Sequence, residues 1–375
     1  MRILLVELDR DLGGSVFSTI ALAKELELLG NDVFMAIPRY GMWEKLVIDS
    51  EIPYIIIDGW PSVRRTEDSL TIRKRIITSV KKCINLTSEI ILLRFILQYD
   101  IDIVHIATLN YECGYYACRV GKRKLVWHVR EFLTAGLGIT EWIYPEKSIK
   151  KVSNSDAIIT ISKTIHDCYS NVFPVSKVKF IYNGVDTHKF FYDRPHFGQN
   201  KAIRFVFLGR LIEGKGADEL IKAFVNCDRN NIGLEIYGSG DENYKDYLRF
   251  LAESDNRISF EGFSSYPEKV MRNADVVCMC SKLEPFGRTT VEAMLSGCLV
   301  LGADSRTTKE LIDQCGGVLY RQGDISDLTK RIDYICQNKE TLIETVRLAQ
   351  KKAKSIFAAE RNAKDIYEVY KEILA

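Results

Sequence analysis

Two successive α/β domains, each a parallel sheet with helices on both faces, is the fold class this sequence predicts. Three observations predict it. Short apolar runs of strand length alternate with segments of helical periodicity along the chain, which is the pattern of a parallel sheet layered with helices. The alternation occurs twice, on either side of a polar stretch at Thr187–Lys201 that contains Pro195 and Gly198 and reads as a linker. The length, 375 residues, is enough for two domains with substantial cores.

In the first half, Arg2–Glu7 is apolar enough for a buried strand, and Ser15–Leu29 carries helical periodicity that stops at Gly30. Strand-length runs follow at Asp32–Ile37, Asp102–Thr108, Lys124–Val129 and Asp156–Ser162, the last leading into a helix that ends near Asn171. Val178–Tyr182 then reaches Asn183-Gly184. In the second half the expected strands are Ile203–Leu208, Leu234–Tyr237, Ile258–Glu261, Val276–Cys280, Leu299–Gly302 and Val318–Tyr320. The expected helices are Ala217–Val225, Glu242–Ser254, Tyr266–Asn273, Arg288–Ser296 and Ser326–Cys336, and the chain ends in helical segments Lys339–Phe357 and Ala359–Leu374.

Composition narrows the function class. Hydrophobic and charged contents of 46% and 27% fit a globular protein. A net charge of +2 argues against a nucleic-acid binder acting through bulk electrostatics. Ten cysteines without a pairing pattern read as reduced, buried thiols, and Cys278-Met-Cys280 alternates faces on a strand, unlike a zinc knuckle. The first residues are already strand-like, so no secretory signal is expected, and the sequon Asn85-Leu-Thr87 is expected to carry no glycan. No apolar run reaches the roughly 18 residues that span a bilayer. The expected location is cytoplasmic.

The most informative segment is Ser281–Met294. Pro285 and Gly287 set a tight turn between a strand and a helix, and the amides of Gly287 to Thr290 are expected to be unpaired at the helix start. Such amides attract phosphate. Glu284 and Glu292 bracket the turn, and Glu292 lies one helical turn after Arg288. Carboxylates accept hydrogen bonds from hydroxyls. Phosphate-seeking amides beside carboxylates suggest a nucleotide sugar as ligand.

This segment resembles the E-x7-E motif of the GT4-type retaining glycosyltransferases. Asn183-Gly-Val-Asp186 resembles that family's interdomain signature, Phe207-Leu-Gly-Arg-Leu211 with Lys215-Gly216 its diphosphate-binding segment, and Gly238-Ser-Gly240 its nucleotide-side loop. The resemblance covers the chain from Met1 to Ala375. It implies the GT-B fold: two facing Rossmann-like domains around a cleft, with the last helix crossing back to the first domain. The implied division is residues 1–186 with about 359–375 as the acceptor-binding domain, and residues 187–358 as the nucleotide-sugar-binding domain. The implied activity is transfer of a sugar from a nucleoside diphosphate sugar, UDP ahead of GDP, to a hydroxyl of a glycan or lipid-linked acceptor in bacterial surface polysaccharide or glycolipid assembly.

By resemblance, Arg210 and Lys215 hold the departing diphosphate, Glu284 orients sugar hydroxyls and Glu292 binds the ribose. Two cations on a glycine-flanked turn suit that task, since they neutralise charge developing on the leaving group. Gly209, Gly238, Phe286, Gly287, Arg288, Thr289 and Thr290 complete the expected donor site, and Gly13-Gly14, between the first strand and helix, is expected to let backbone approach the ligand. Gly13-Gly14 does not satisfy G-x-G-x-x-G, which counts against a dehydrogenase. His128 ends a strand where ligands bind in open parallel sheets, and the family places a histidine there near donor sugar and acceptor. Arg130 and Glu131 are expected to contact the acceptor. Asp9-Arg-Asp11 and Asp100-Ile-Asp102 match the D-x-D form of metal-dependent transferases, but both read as structural, so no metal and no cofactor are expected.

Residues 60–97 carry eight basic against three acidic residues, a net of +5, and contain Ile90-Ile-Leu-Leu-Arg-Phe-Ile-Leu97. That combination suggests docking on an anionic lipid surface, which would make the protein peripheral at the inner face of the cell membrane. The rival readings are a hydrolysing sugar-nucleotide epimerase, an inactive partner subunit and a nicotinamide dehydrogenase. The E-x7-E pairing, the intact Arg210, Lys215, Glu284 and Glu292, and the missing dinucleotide fingerprint weigh against them in turn.

Overall fold

The computed structural model describes residues 1–10, 13–39, 44–65, 72–133, 140–192, 197–198 and 202–375, and of residues 44 and 72–83 the backbone alone. These residues form two compact units, Met1–Gly184 with Ala359–Ala375, and Val185–Ala358.

In the first unit the strands are β1 (Arg2–Val6), β2 (Asp32–Pro38), β3 (Tyr54–Ile57), β4 (Val63–Arg65), β5 (Ile103–Ile106), β6 (Lys124–Val129), β7 (Thr140–Trp142), β8 (Ala157–Thr160) and β9 (Val178–Phe180). Seven of them form one parallel sheet in the order β3-β2-β1-β5-β6-β8-β9. The central strands β1, β5 and β8 are buried along almost their whole length, which is why they read as unbroken apolar runs. The chain moves outward from β1 to β3 and then returns to the other side of β1 with β5. The sheet therefore has its topological switch point between β1 and β5, where open α/β sheets bind ligands at their carboxyl ends.

The second unit repeats the plan. Its strands are β10 (Ile203–Leu208), β11 (Ile232–Tyr237), β12 (Ile258–Gly262), β13 (Val276–Met279), β14 (Leu299–Ala303) and β15 (Val318–Tyr320). They lie in the order β12-β11-β10-β13-β14-β15, all parallel, so the switch point falls between β10 and β13. The core between this sheet and its helices is apolar and closely filled, with Phe205 and Phe224 meeting edge to face at 5.5 Å.

The segment Asn183–Asp186 serves packing at each position. Asn183 donates to Ser18 Oγ at 3.0 Å. A side chain at Gly184 would stand 2.8 Å from Ala359 Cα, so only glycine lets the start of the last helix approach. Val185 pairs with Ala358, and Asp186 caps the short helix Thr187–Phe190 through the amide of Lys189.

The structure corrects the sequence reading in several places. The expected linker Thr187–Lys201 opens instead as part of the second unit: Phe190 is buried and its carbonyl accepts from Ser296 Oγ at 3.2 Å. Of its remainder, residues 193–196 and 199–201 lie outside the described residues. The antiparallel pair β4·β7, tied by Arg64 and Glu141 at 2.6 Å, was not expected, because three-residue strands carry no periodicity. Nor were β3 or the helix Arg306–Cys315.

Candidate active site

The candidate residues of the second unit come together because three loops at the carboxyl edge of its sheet pack backbone against backbone. After β10, Gly209 N–H donates to Tyr237 O at 3.1 Å and Leu211 N–H to Ser239 O at 2.8 Å. A Cβ on Gly238 would lie 1.9 Å from Gly209 O, and one on Gly240 would lie 2.0 Å from Leu211 O. After β13, Lys282 N–H donates to Gly214 O at 2.8 Å, and a Cβ on Gly216 would meet Cys280 O at 2.3 Å. The glycines thus bring residues 209–216, 238–240 and 280–287 into one loop cluster beside the β10·β13 switch point.

Lys215 Nζ donates to Glu284 Oε1 at 2.5 Å, with both side chains mostly buried. The Arg210 side chain is exposed and forms no hydrogen bond or ion pair among the described residues. One cation is therefore held by a carboxylate and the other projects into solvent at the same edge.

The helix Arg288–Leu295 begins at Gly287, whose φ of +76° is a left-handed conformation that suits glycine. Its start is less open than expected. Thr290 N–H turns back to Gly287 O at 2.9 Å, closing one of the four amides in a tight 3₁₀-type turn. Thr290 Oγ1 is buried without a hydrogen-bond partner among the described residues, and Thr289 sits beside it in the first turn. Arg288 Nε donates to Glu292 Oε1 at 2.5 Å. Burial holds the Glu292 carboxyl above its ordinary range, and Arg288 works in the opposite sense. Phe286 is buried with its ring 5.9 Å from Phe357, so what it offers a ligand is its backbone.

In the first unit, Gly13 precedes the helix Gly14–Leu28 in an extended conformation and Gly14 is exposed at its first position. His128 is fully buried at the end of β6, and it is not a lone histidine. His105 Nε2 lies 3.1 Å from His128 Nδ1, and Tyr370 OH contacts His105 Nδ1. Arg130 and Glu131, expected to reach the acceptor, are turned inward. Arg130 donates to Ser15 O at 2.7 Å and Thr19 Oγ1 at 3.0 Å. Glu131 accepts from Thr108 Oγ1 at 2.5 Å and Leu109 N at 2.9 Å.

Sequence reasoning missed Glu7, which ends the β1 region with no exposed surface and accepts from Thr19 Oγ1 at 3.1 Å. An acidic residue directly after an unbroken apolar strand was the available signal. Burial raises its pKa from 4.5 to about 7, with Arg130 acting in the opposite sense, and burial also raises Glu131 to about 7. An acid with a raised folded pKa leaves full stability below its unfolded pKa and removes it as pH rises toward the folded value. Stability is therefore expected to fall between pH 4.5 and about 7. Glu7→Gln should abolish its share of that fall, about 3 kcal/mol at neutral pH. Urea titrations of both proteins at pH 5 and pH 7.5 check this; parallel pH dependences would show that Glu7 titrates normally.

Asp100 and Asp102 are engaged at the amino ends of the strands: Asp100 accepts from Arg123 at 2.8 Å, and Asp102 from Arg2 N at 2.7 Å. Asp11 lies outside the described residues, and Asp9 donates its N–H to Glu7 at 3.3 Å. The nine described cysteines are free. Of the basic region, Glu67 and Asp68 and the side chains of Arg73, Lys74, Arg75, Lys81 and Lys82 lie outside the described residues. In the helix Ile72–Gln98, Leu92 and Ile96 are buried, whereas Leu86, Ile90 and Leu97 are exposed and share one face by helical spacing. Among the described residues no helix is long and apolar enough to cross a membrane.

Comparison with known proteins accounts for nearly the whole chain. The model of glycosyl transferases group 1 matches residues 190–372, and that of Glycosyltransferase Family 4 matches residues 12–189. An uncharacterized glycosyltransferase of Methanocaldococcus jannaschii is 28% identical over 57% of this chain and 59% of its own length. The chain thus matches less than two thirds of that curated relative. HepE of Anabaena, solved with UDP and with UDP-glucose, is 20% identical, with TM-scores of 0.80 and 0.79 over 99% of this chain and 100% of that one. A glycosyltransferase of Rickettsia africae is 19% identical, with a TM-score of 0.80 over 100% of this chain and 98% of that one. At such identities these likenesses show the fold.

Proposed function

The chain belongs to the GT4-type glycosyltransferases, with the GT-B fold, and from that premise we propose that it moves a sugar from a nucleoside diphosphate sugar to an acceptor hydroxyl with retention of anomeric configuration. The supporting observation is the convergence of Arg210, Lys215, Glu284 and the helix start at Gly287 at the β10·β13 switch point. The bond from the anomeric carbon to the diphosphate breaks with its electron pair leaving on the diphosphate oxygen, the acceptor oxygen bonds to that carbon, and the acceptor proton passes to the departing diphosphate. Arg210 and Lys215 neutralise the charge that grows on the diphosphate. Glu284 holds the Lys215 ammonium near its working position, lowering the ordering cost at the moment of reaction. It has a further oxygen for a sugar hydroxyl, while Glu292 binds the ribose.

Gly209 and Gly238 shape the loop bed, and Arg288, Thr289 and Thr290 line the phosphate end. We place the acceptor at the carboxyl edge of the first unit's sheet, beside Gly13, Gly14 and His128, with Arg130 and Glu131 holding that edge in shape. UDP is the favoured donor base, in keeping with the UDP and UDP-glucose complexes of HepE. Metal is not required, since two cations and a helix start already face the diphosphate.

Incubation with a panel of UDP- and GDP-sugars, with and without EDTA, tests the reading. Release of the nucleoside diphosphate from one donor, undiminished by chelator and with the donor's anomeric configuration kept in the product, is expected. Turnover lost in EDTA and restored by Mn²⁺ would reinstate a metal.

The acceptor we infer is a glycan or lipid-linked molecule of surface polysaccharide assembly, met at an anionic membrane surface. The exposed Leu86, Ile90 and Leu97, beside Arg94, support it. Each basic residue near such a surface adds about 1 kcal/mol. Flotation with anionic liposomes should show binding that weakens above about 0.1 M salt; equal partition to neutral liposomes would rule out electrostatic docking.

A further inference from the structure

The interior of the first unit contains a run of hydrogen bonds whose proton positions follow from the chemistry of the partners. Tyr370, in the last helix Ala359–Leu374, sets its hydroxyl against Nδ1 of His105. Nε2 of His105 lies 3.1 Å from Nδ1 of His128, and a guanidinium nitrogen of Arg130 lies 3.3 Å from the same Nδ1. All four side chains are buried.

A guanidinium only donates and keeps its protons. Nδ1 of His128 is therefore the acceptor and carries no hydrogen. Nε2 of His105 points at that same lone pair, so it must carry a hydrogen and donate. Burial, with the Arg130 charge next, pushes the His105 pKa down to about 3, and the same causes hold His128 well below 6.5. Each ring is thus neutral with a single proton. His105 bears its proton on Nε2, which leaves Nδ1 to accept from the Tyr370 hydroxyl. His128 bears its proton on Nε2. Donation runs one way, from Tyr370 through His105 to His128, and ends on an Nε2–H that is buried and has no hydrogen-bond partner among the described residues. A buried donor left unpaired is a standing cost that a ligand oxygen would relieve.

We propose that Arg130 and His105 are positioning residues that lock His128 in its Nε2–H tautomer, so that His128 serves as a hydrogen-bond donor to a hydroxyl oxygen of the bound sugar or acceptor and not as a general base. Arg130 sets the direction, since a tyrosine hydroxyl can donate or accept and would tolerate the opposite one. The proposal rests on the reading above that His128 belongs to the ligand site. It also gives Arg130 a role consistent with its inward orientation.

The chain has five histidines, so long-range proton–nitrogen correlation spectra of protein labelled with ¹⁵N in the imidazoles can report each tautomer. At pH 7 the unliganded wild type should show His105 and His128 neutral and protonated at Nε2. Arg130→Met should leave His128 mixed, with Nδ1–H appearing, and Arg130→Lys, which restores a cationic donor, should return it to Nε2–H. Turnover of the donor found in the panel should fall about tenfold in kcat/KM in Arg130→Met, the order expected for one lost hydrogen bond, and recover in Arg130→Lys.

A merely structural role for Arg130 would change stability without changing the tautomer. Should Arg130→Met fail to fold, the wild-type spectrum still decides, because His128 protonated at Nδ1 or at both nitrogens overturns the proposal. An unchanged His128 tautomer in folded Arg130→Met overturns it as well. If the tautomers are as deduced but His128→Ala turns over like wild type, His128 has no part in the site; the ligand role falls while the lock stands as a feature of the fold.

Discussion

Replacing Arg210 or Lys215 by alanine is expected to slow transfer about a hundredfold while leaving the protein folded. Removing one preorganised positive group from developing charge typically costs roughly 3 kcal/mol. The two variants should differ in one respect. The Arg210 side chain is exposed and without a partner among the described residues, so Arg210→Ala disturbs nothing in the unliganded protein. Lys215 neutralises the mostly buried Glu284, so Lys215→Ala leaves that carboxylate alone and should also lower stability. Adding Glu284→Ala should restore stability but not turnover. Near-normal kcat in either folded single variant would remove that cation from the mechanism.

Gly216→Ala is expected to be strongly destabilising. The residue has a φ of +76°, and its new Cβ would stand 2.3 Å from the carbonyl oxygen of Cys280, a backbone atom of the loop after β13 that cannot swing aside. Backbone strain alone costs about 1–2 kcal/mol for a non-glycine residue there, and the clash adds to it. A total loss of roughly 3 kcal/mol or more is expected, with Lys215 displaced from Glu284. Gly214→Ala is the control. Its φ is +83° and no described residue lies within 4 Å of the new Cβ, so only the strain term should appear. Urea denaturation of the pair separates the two effects; equal losses would mean that loop packing is not what holds the cluster together.

The parts of this molecule that could be read from sequence are those where one residue type serves a local need. Buried parallel strands such as Arg2–Val6 and Ile203–Leu208 are unbroken apolar runs, and loops at sheet edges announce themselves through glycine. Arg210, Lys215, Glu284 and Glu292 stand out as charges placed among such loops. The Lys215–Glu284 pair was not legible, because its partners are far apart in sequence and only the β10·β13 pairing makes them neighbours. The same holds for His105. It lies inside the apolar run Ile103–Ile106 and acquires its meaning from His128 on the adjacent strand and Tyr370 near the end of the chain. Arg130 looked like a surface contact because charge usually means solvent; here burial is offset by a carbonyl, a hydroxyl and an imidazole nitrogen. The linker reading failed for a similar reason, since Phe190 and Phe197 are buried in the second unit and anchor a stretch whose Pro195, Gly198 and charged residues read as a connector.

The central claim is that the β10·β13 edge of the second unit holds a nucleoside diphosphate through Arg210 and Lys215. Calorimetric titration with UDP and UMP, and with GDP and GMP, tests it most directly. The account predicts that one diphosphate binds at least about tenfold more tightly than its monophosphate, roughly 1.4 kcal/mol for the added phosphate. It also predicts that this margin disappears in the Arg210→Ala/Lys215→Ala double variant. Equal affinities for diphosphate and monophosphate, or a margin that survives in the double variant, would contradict it.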